Sequence, residues 1–165
     1  MYIVFPPPSF GDTLPYVMIK ERFSIGASED AKAIRKEVFE DELGYSNDLD
    51  KFDSSCWELV LYLDGFPLST GRIRPIDPET FLIEKVAVRK IARHQSVGTY
   101  TIKYLMNKIL SLGGRYAIIH DYQSSESYYR KLGFHKNIDE PCLPLKDNKE
   151  IEMVRFLPKK RAKPH

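Results

Sequence analysis

At 165 residues the chain is long enough for one compact domain with a real core and too short for two ordinary ones. Hydrophobic residues make up 42% and charged residues 29%, a globular balance that argues against intrinsic disorder. Lys and Arg total 25 against 23 Asp and Glu, a net charge of +2, which leaves no electrostatic footprint for nucleic acid or an anionic membrane surface.

Residues 1–15 carry Pro6-Pro7-Pro8, Gly11 and Pro15 and read as an extended N-terminal segment. The segment lacks the basic start and unbroken apolar run of a signal peptide. The domain is expected over 16–157, and 158–165 (PKKRAKPH) reads as a solvated, basic, disordered tail. No stretch approaches the length of a membrane span. Cys56 and Cys142 lie far apart, with neither metal-ligand spacing nor a disulfide framework, so a cytoplasmic chain without a metal is expected.

Within the domain, Tyr16 to Ser24 reads as a strand. Ser28-Glu29-Asp30 then offers a cap and an acidic first turn for a helix with apolar positions Ala31, Ile34, Val38 and Phe39. An acidic loop holding Glu40, Asp41, Glu42, Asp48, Asp50 and Asp53 follows; it reads either as a solvated loop or as an attractor of a cationic amine. Trp57 to Leu63 and Phe66 to Ile73 flank Asp64-Gly65, a hairpin signal. Phe81 to Val88 is a further strand, and Val97 to Leu112 a helix with the apolar stripe Ile102, Leu105, Met106 and Ile109, ended by Gly113-Gly114. Tyr116 to Ile119 reads as a buried strand, 125–132 as a short helix closed by Gly133, and Phe134 to Ile138 and Ile151 to Phe156 as closing strands. The order β-α-β-β-β-α-β-α-β-β predicts an α/β fold with a mixed sheet and helices on it.

The turn Arg93-His94-Gln95-Ser96-Val97-Gly98 joins a strand to a helix N-terminus. First-turn N–H groups there have no intrahelical acceptor, and the helix dipole favours an anion. Gly98 permits close backbone approach, and Arg93 can add charge-assisted contacts.

This turn resembles the [Q/R]-x-x-G-x-[G/A] pyrophosphate loop of the GNAT acyltransferase superfamily, with Ser96 in place of the first glycine. Tyr128-Tyr129-Arg130-Lys131-Leu132-Gly133-Phe134 is similar to the family's F-Y-x-x-L-G-F signature, and Leu59 to Arg74 to its hairpin ending in G-x-x-R. With Ile83 to Val88, the resemblance covers roughly 16–157. It implies a central, mostly antiparallel mixed sheet with helices on both faces and a splayed βαβ core that binds CoA. The implied reaction is direct transfer of an acetyl group from acetyl-CoA to a primary amine of a small molecule or peptide. The implied assembly is a monomer or homodimer. The residues implied to hold acetyl-CoA are Val86, Ala87 and Val88 on the strand, Arg93, His94, Gln95, Ser96, Val97, Gly98 and Thr99 in the turn, and Tyr129.

Such chemistry needs a base, an oxyanion donor and an acid. Strand alternation puts Glu84 on one face with Leu82, Val86 and Val88, where desolvation favours a base, and the family often carries a carboxylate on this strand. His120, after the buried strand, is the alternative base. Tyr129 stands at the family's tyrosine beside the CoA sulfur and is the implied acid, Tyr128 reads as core, and a backbone N–H of Val86 or Val88 would polarise the thioester. Arg72 and Arg74 share a face and suit either a substrate anion or the acidic loop. Two further readings stand beside the first. Val38 to Tyr45 with Asp50 and Asp53 faintly resembles acyl-homoserine-lactone synthases, and Ser96 in the turn suits a non-catalytic acyl-CoA-binding module.

Overall fold

A computed structural model describes residues 18–158. The extended segment 1–15 and the tail beyond Pro158 lie outside the described residues. The chain runs β1 (Ile19–Ile25), α1 (Glu29–Arg35), β2 (Trp57–Leu63), β3 (Phe66–Pro75), β4 (Thr80–Val88), α2 (Val97–Ser111), β5 (Tyr116–Tyr122), α3 (Glu126–Lys131), β6 (His135–Lys136) and β7 (Glu150–Phe156). This is the predicted order. The strands form one 7-stranded sheet in the order β1-β2-β3-β4-β5-β7-β6, antiparallel throughout except for the β4–β5 pair.

Ser28 caps α1, its hydroxyl accepting from the Ala31 N–H, as the Ser-Glu-Asp start predicts. The helix then widens into a π-helical turn, Lys36–Glu42, and stops at Gly44 with φ 75°. The closing strand expected over Phe134 to Ile138 shrinks to His135–Lys136, and β5 runs on past Ile119 to carry His120, Asp121 and Tyr122.

Helices cover both faces. On one, Ile102, Leu105 and Ile109 of α2 pack on Leu59, Leu61, Ile73 and Ile83. On the other, Ala31, Ile34 and Val38 pack on Val60 and Ala87. Gly71 permits the close approach of α2, because a Cβ there would stand 2.7 Å from Leu105 Cδ1. Each fully buried aliphatic side chain of this core contributes about 1.5–3 kcal/mol.

One irregularity sets up the site. Arg72 pairs with Glu84 and Thr70 with Ala87, so Gly71 alone opposes both Lys85 and Val86. Lys85 takes a left-handed φ of 54°. This bulge shifts the side-chain alternation: Ile83 and Val86 both pack on the α2-side core, while Glu84 and Lys85 both turn toward ion pairs on the α1 side. The expected common face of Glu84, Val86 and Val88 is therefore wrong, because alternation counted along the sequence assumes an unbroken ladder. β4 pairs with β5 only over Thr80–Ile83 against Tyr116–Ile119, and past the bulge the two strands part.

Candidate active site

The parted strands open a cleft of about 930 Å³. Glu84, Lys85 and Val86 line one wall, and His120, Asp121 and Tyr122 the other. Tyr129 of α3 stands at the cleft, and Phe39, Tyr45 and Asp48 from the α1–β2 connection close one side. A second pocket, about 400 Å³, lies at the N-terminus of α2 and is lined by Val88, Arg93, His94, Ser96, Val97, Gly98, Thr99 and Tyr128.

The structure thus gathers most of the predicted turn around one pocket. Ala87 is excluded, being buried on the α1 face, and so is the Gln95 side chain, whose amide points to Ile91 O at 3.4 Å. Tyr128, expected in the core, is exposed; its hydroxyl lies 3.2 Å from Thr99 Oγ1 and joins the turn's lining. Arg93 donates from Nε to Val88 O at 2.9 Å and grips Glu42 with both terminal nitrogens at 2.8 and 3.0 Å. Its fork holds a carboxylate, an anion of the geometry that a phosphate would present.

Ser96 adopts φ 62°, the left-handed conformation that glycine accepts freely, and its side chain makes no capping bond. A residue with a Cβ costs about 1–2 kcal/mol there. Ser96→Gly is accordingly expected to stabilise the protein by about 1 kcal/mol. Urea unfolding checks this, and an unchanged or lower midpoint counts against stored strain.

The later carboxylates of the acidic loop, Asp48, Asp50 and Asp53, meet the buried arginines, whereas Asp41 pairs with the exposed Lys36. Arg35, with 1% of its side chain exposed, donates to Asp48, Asp53 and Glu58. Arg72, equally buried, donates to Asp50 at 2.8 Å, Asp53 at 2.9 Å and Glu84 at 2.7 Å. Lys85 reaches Asp48 Oδ1 at 2.6 Å. Hydrogen bonds from Arg72 push the Asp50 carboxyl down to about 2, whereas burial pushes Glu58 up against the pull of Arg35. Asp48, Asp50 and Asp53 are therefore spoken for as partners of the fold, and the loop's supposed pull on a cationic amine is weakened.

Glu84 is equally committed. Its Oε1 accepts from Arg72 at 3.1 and 2.7 Å and from Arg74 Nε at 2.9 Å. Such a carboxylate is a strut between β3 and β4 before it is a base. Tyr129, half-buried, donates its hydroxyl to Asp121 Oδ2 at 2.8 Å, and its ring meets Phe134 edge-on. Burial, then the negative charge of Asp121, push its pKa far above the ordinary tyrosine value, so it remains a phenol at any working pH. Asp121 had no signal beyond its place after a buried strand.

Arg89 N–H donates to Leu68 O at 2.9 Å, so strand alternation turns the N–H of Val88 the other way, toward the opening. Among the described residues no group of His, Cys, Asp and Glu is arranged to hold a metal, and no helix is long and apolar enough to cross a membrane.

A sheet parted between two parallel strands, with a helix N-terminus and a tyrosine at the opening, defines an acyltransferase class of fold. The chain belongs to the acetyltransferase (GNAT) family, whose sequence profile matches residues 23–134. It is 25% identical to the uncharacterised protein YyaT of Bacillus subtilis over 116 residues, 67% of this chain and 78% of that one. Among solved structures, an N-acetyltransferase candidate from Lactobacillus plantarum superposes with a TM-score of 0.73 at 25% identity, over 84% of this chain and 98% of that one. A GNAT family acetyltransferase from Elizabethkingia anophelis with acetyl-CoA bound superposes with a TM-score of 0.65 at 18% identity, over 84% and 98% of the two chains. The mixed α/β sheet with helices on both faces is the fold these neighbours share.

Proposed function

We propose that the chain is an acyl-CoA-dependent N-acyltransferase that moves an acetyl group directly from acetyl-CoA to a primary amine of a small molecule or peptide. The observation that carries this reading is the opening between β4 and β5, with an anion-suited turn beside Val88 of β4 and a cleft beside Val86 faced by Tyr129. The family membership and the Elizabethkingia neighbour's acetyl-CoA support the choice of donor.

In this reading the free N–H groups of Val97, Gly98 and Thr99 and the Arg93 guanidinium receive the pyrophosphate, which displaces Glu42. The Val88 N–H on the open edge of β4 polarises the thioester carbonyl. The amine forms the new C–N bond as the C–S bond breaks. An ammonium that becomes an amide gives up two protons: one goes to a base before attack, and one completes the thiol. For this step the Tyr129 hydroxyl turns from Asp121 to the departing sulfur, gives it a proton and takes the second proton from the adduct nitrogen in its place.

The test is an amine panel followed by release of free CoA thiol, alongside thermal unfolding with acetyl-CoA. The expected result is a raised unfolding temperature and thiol release with at least one amine. Stabilisation by acetyl-CoA with neither transfer nor slow hydrolysis would instead support a binding module, a reading favoured by the strained Ser96 and the occupied Arg93.

A further inference from the structure

Beneath the second wall of the cleft lies a polar cluster that the transfer reading does not use. Glu152, on β7 directly opposite His120 of β5, has a fully buried carboxylate. It accepts from Asn137 Nδ2 at 2.8 Å and from the Cys142 backbone N–H at 3.1 Å to both oxygens. An oxygen pair that accepts so many N–H groups is ionised, and these donors together with His120 hold its carboxyl below the ordinary glutamate range despite the opposing effect of burial. The remaining contact is with the imidazole, Nε2 to Glu152 Oε2 at 2.7 Å.

An ionised carboxylate at that distance takes a hydrogen, so Nε2 of a neutral His120 carries the proton and Nδ1 the lone pair. Nδ1 has no partner among the described residues, and the ring lines the cleft. Glu84, by contrast, spends its Oε1 on two guanidinium groups. We propose that His120, through Nδ1, is the base that takes the first proton from the acceptor ammonium, and that Glu152 is the positioning residue that fixes its tautomer. This rests on the N-acyltransferase reading and deepens it. The balance is one proton from the ammonium to Nδ1, leaving a neutral amine for attack, and afterwards from the imidazolium to solvent through the open cleft.

The charged neighbours agree with the assignment. Glu152 and Glu150 approach from β7, Asp121 from β5, Tyr129 from α3, and Glu84 and Lys85 from β4. Lys146 and Cys142 come from the β6–β7 connection. Lys85 is paired with Asp48 and Asp121 accepts from the Tyr129 hydroxyl, so the imidazole's one direct ionic partner among the described residues is Glu152.

The experiment uses the full chain and an amine that the wild type acetylates. His120→Gln is expected to lower turnover at neutral pH about 10²-fold. Acetyl-CoA should still protect this variant against heat, and its rate should recover at alkaline pH, where the amine neutralises itself. Glu152→Gln should lower turnover at neutral pH about 10-fold, because the imidazole is no longer held with its lone pair on Nδ1. In the wild type, ¹⁵N spectra of neutral His120 should show a protonated Nε2, and Glu152→Gln should mix the tautomers. Three results overturn the proposal: full turnover in His120→Gln, full turnover in Glu152→Gln, or an acid limb abolished by Glu84→Gln instead. A wild type that stabilises with acetyl-CoA yet acylates no amine removes the transfer reading and the base role together, whereas the tautomer spectra then report on the His120–Glu152 geometry alone.

Discussion

Arg35→Met is expected to cost about 3–5 kcal/mol of folding stability, the largest effect of any single substitution considered for this chain. Arg35 lies at the end of α1 with 1% of its side chain exposed and donates to Asp48, Asp53 and Glu58. Methionine fills much the same volume, so the loss would not come from a cavity. It would come from stranding carboxylates, above all Glu58, whose side chain has no exposure and whose remaining direct partner is Thr70 at 3.2 Å. The second substitution Glu58→Gln, which removes that stranded charge, should recover part of the loss. Chemical unfolding of the two single variants and the double variant measures the coupling. A cost under about 1 kcal/mol for Arg35→Met would place the network among ordinary surface ion pairs. The effect reaches the cleft as well, because Asp48 both receives Arg35 and anchors Lys85 at the bulge of β4.

Tyr129→Phe is expected to lower turnover about 10²-fold while leaving acetyl-CoA binding nearly intact. Phenylalanine keeps the edge-on contact with Phe134 and loses only the hydroxyl that donates to Asp121. Because Asp121 is only half-buried, water can replace that bond, and the stability cost should stay near 1 kcal/mol. Steady-state kinetics with thermal protection by acetyl-CoA separates the two effects. Unchanged turnover would remove Tyr129 from the proton relay. Lost protection would make it a binding residue.

Tyr129 and Glu84 show how far the site could be read in advance. Tyr129 was reached through the signature around it, and that signature is local: a short helix, a Gly133 at φ 82° and a strand behind it. Local chemistry survives folding, so the motif leads to a tyrosine that lines the cleft. Glu84 follows from two signals, the count of alternate residues along a strand and the carboxylate that the resembling family often carries there. The bulge opposite Gly71 invalidates that count, and the arginines that hold Glu84 come from β3, ten and twelve residues away. Likewise Glu152 carries no signal in its own segment, since the residue that gives it meaning, His120, lies 32 positions earlier.

The sequence by itself determined the element order, the hairpin at Asp64-Gly65, the capped start of α1, the stripe of α2 and the turn from Arg93 to Thr99, because periodicity, caps and turn residues act over a few neighbours. Only the tertiary structure decided which charges face one another. It turned the acidic loop onto Arg35 and Arg72, set Glu42 on Arg93, drew Tyr128 out of the core and placed Glu152 under His120. Charged side chains are long and their pairings are non-local, and a buried ion must find a partner wherever the sheet brings one within reach.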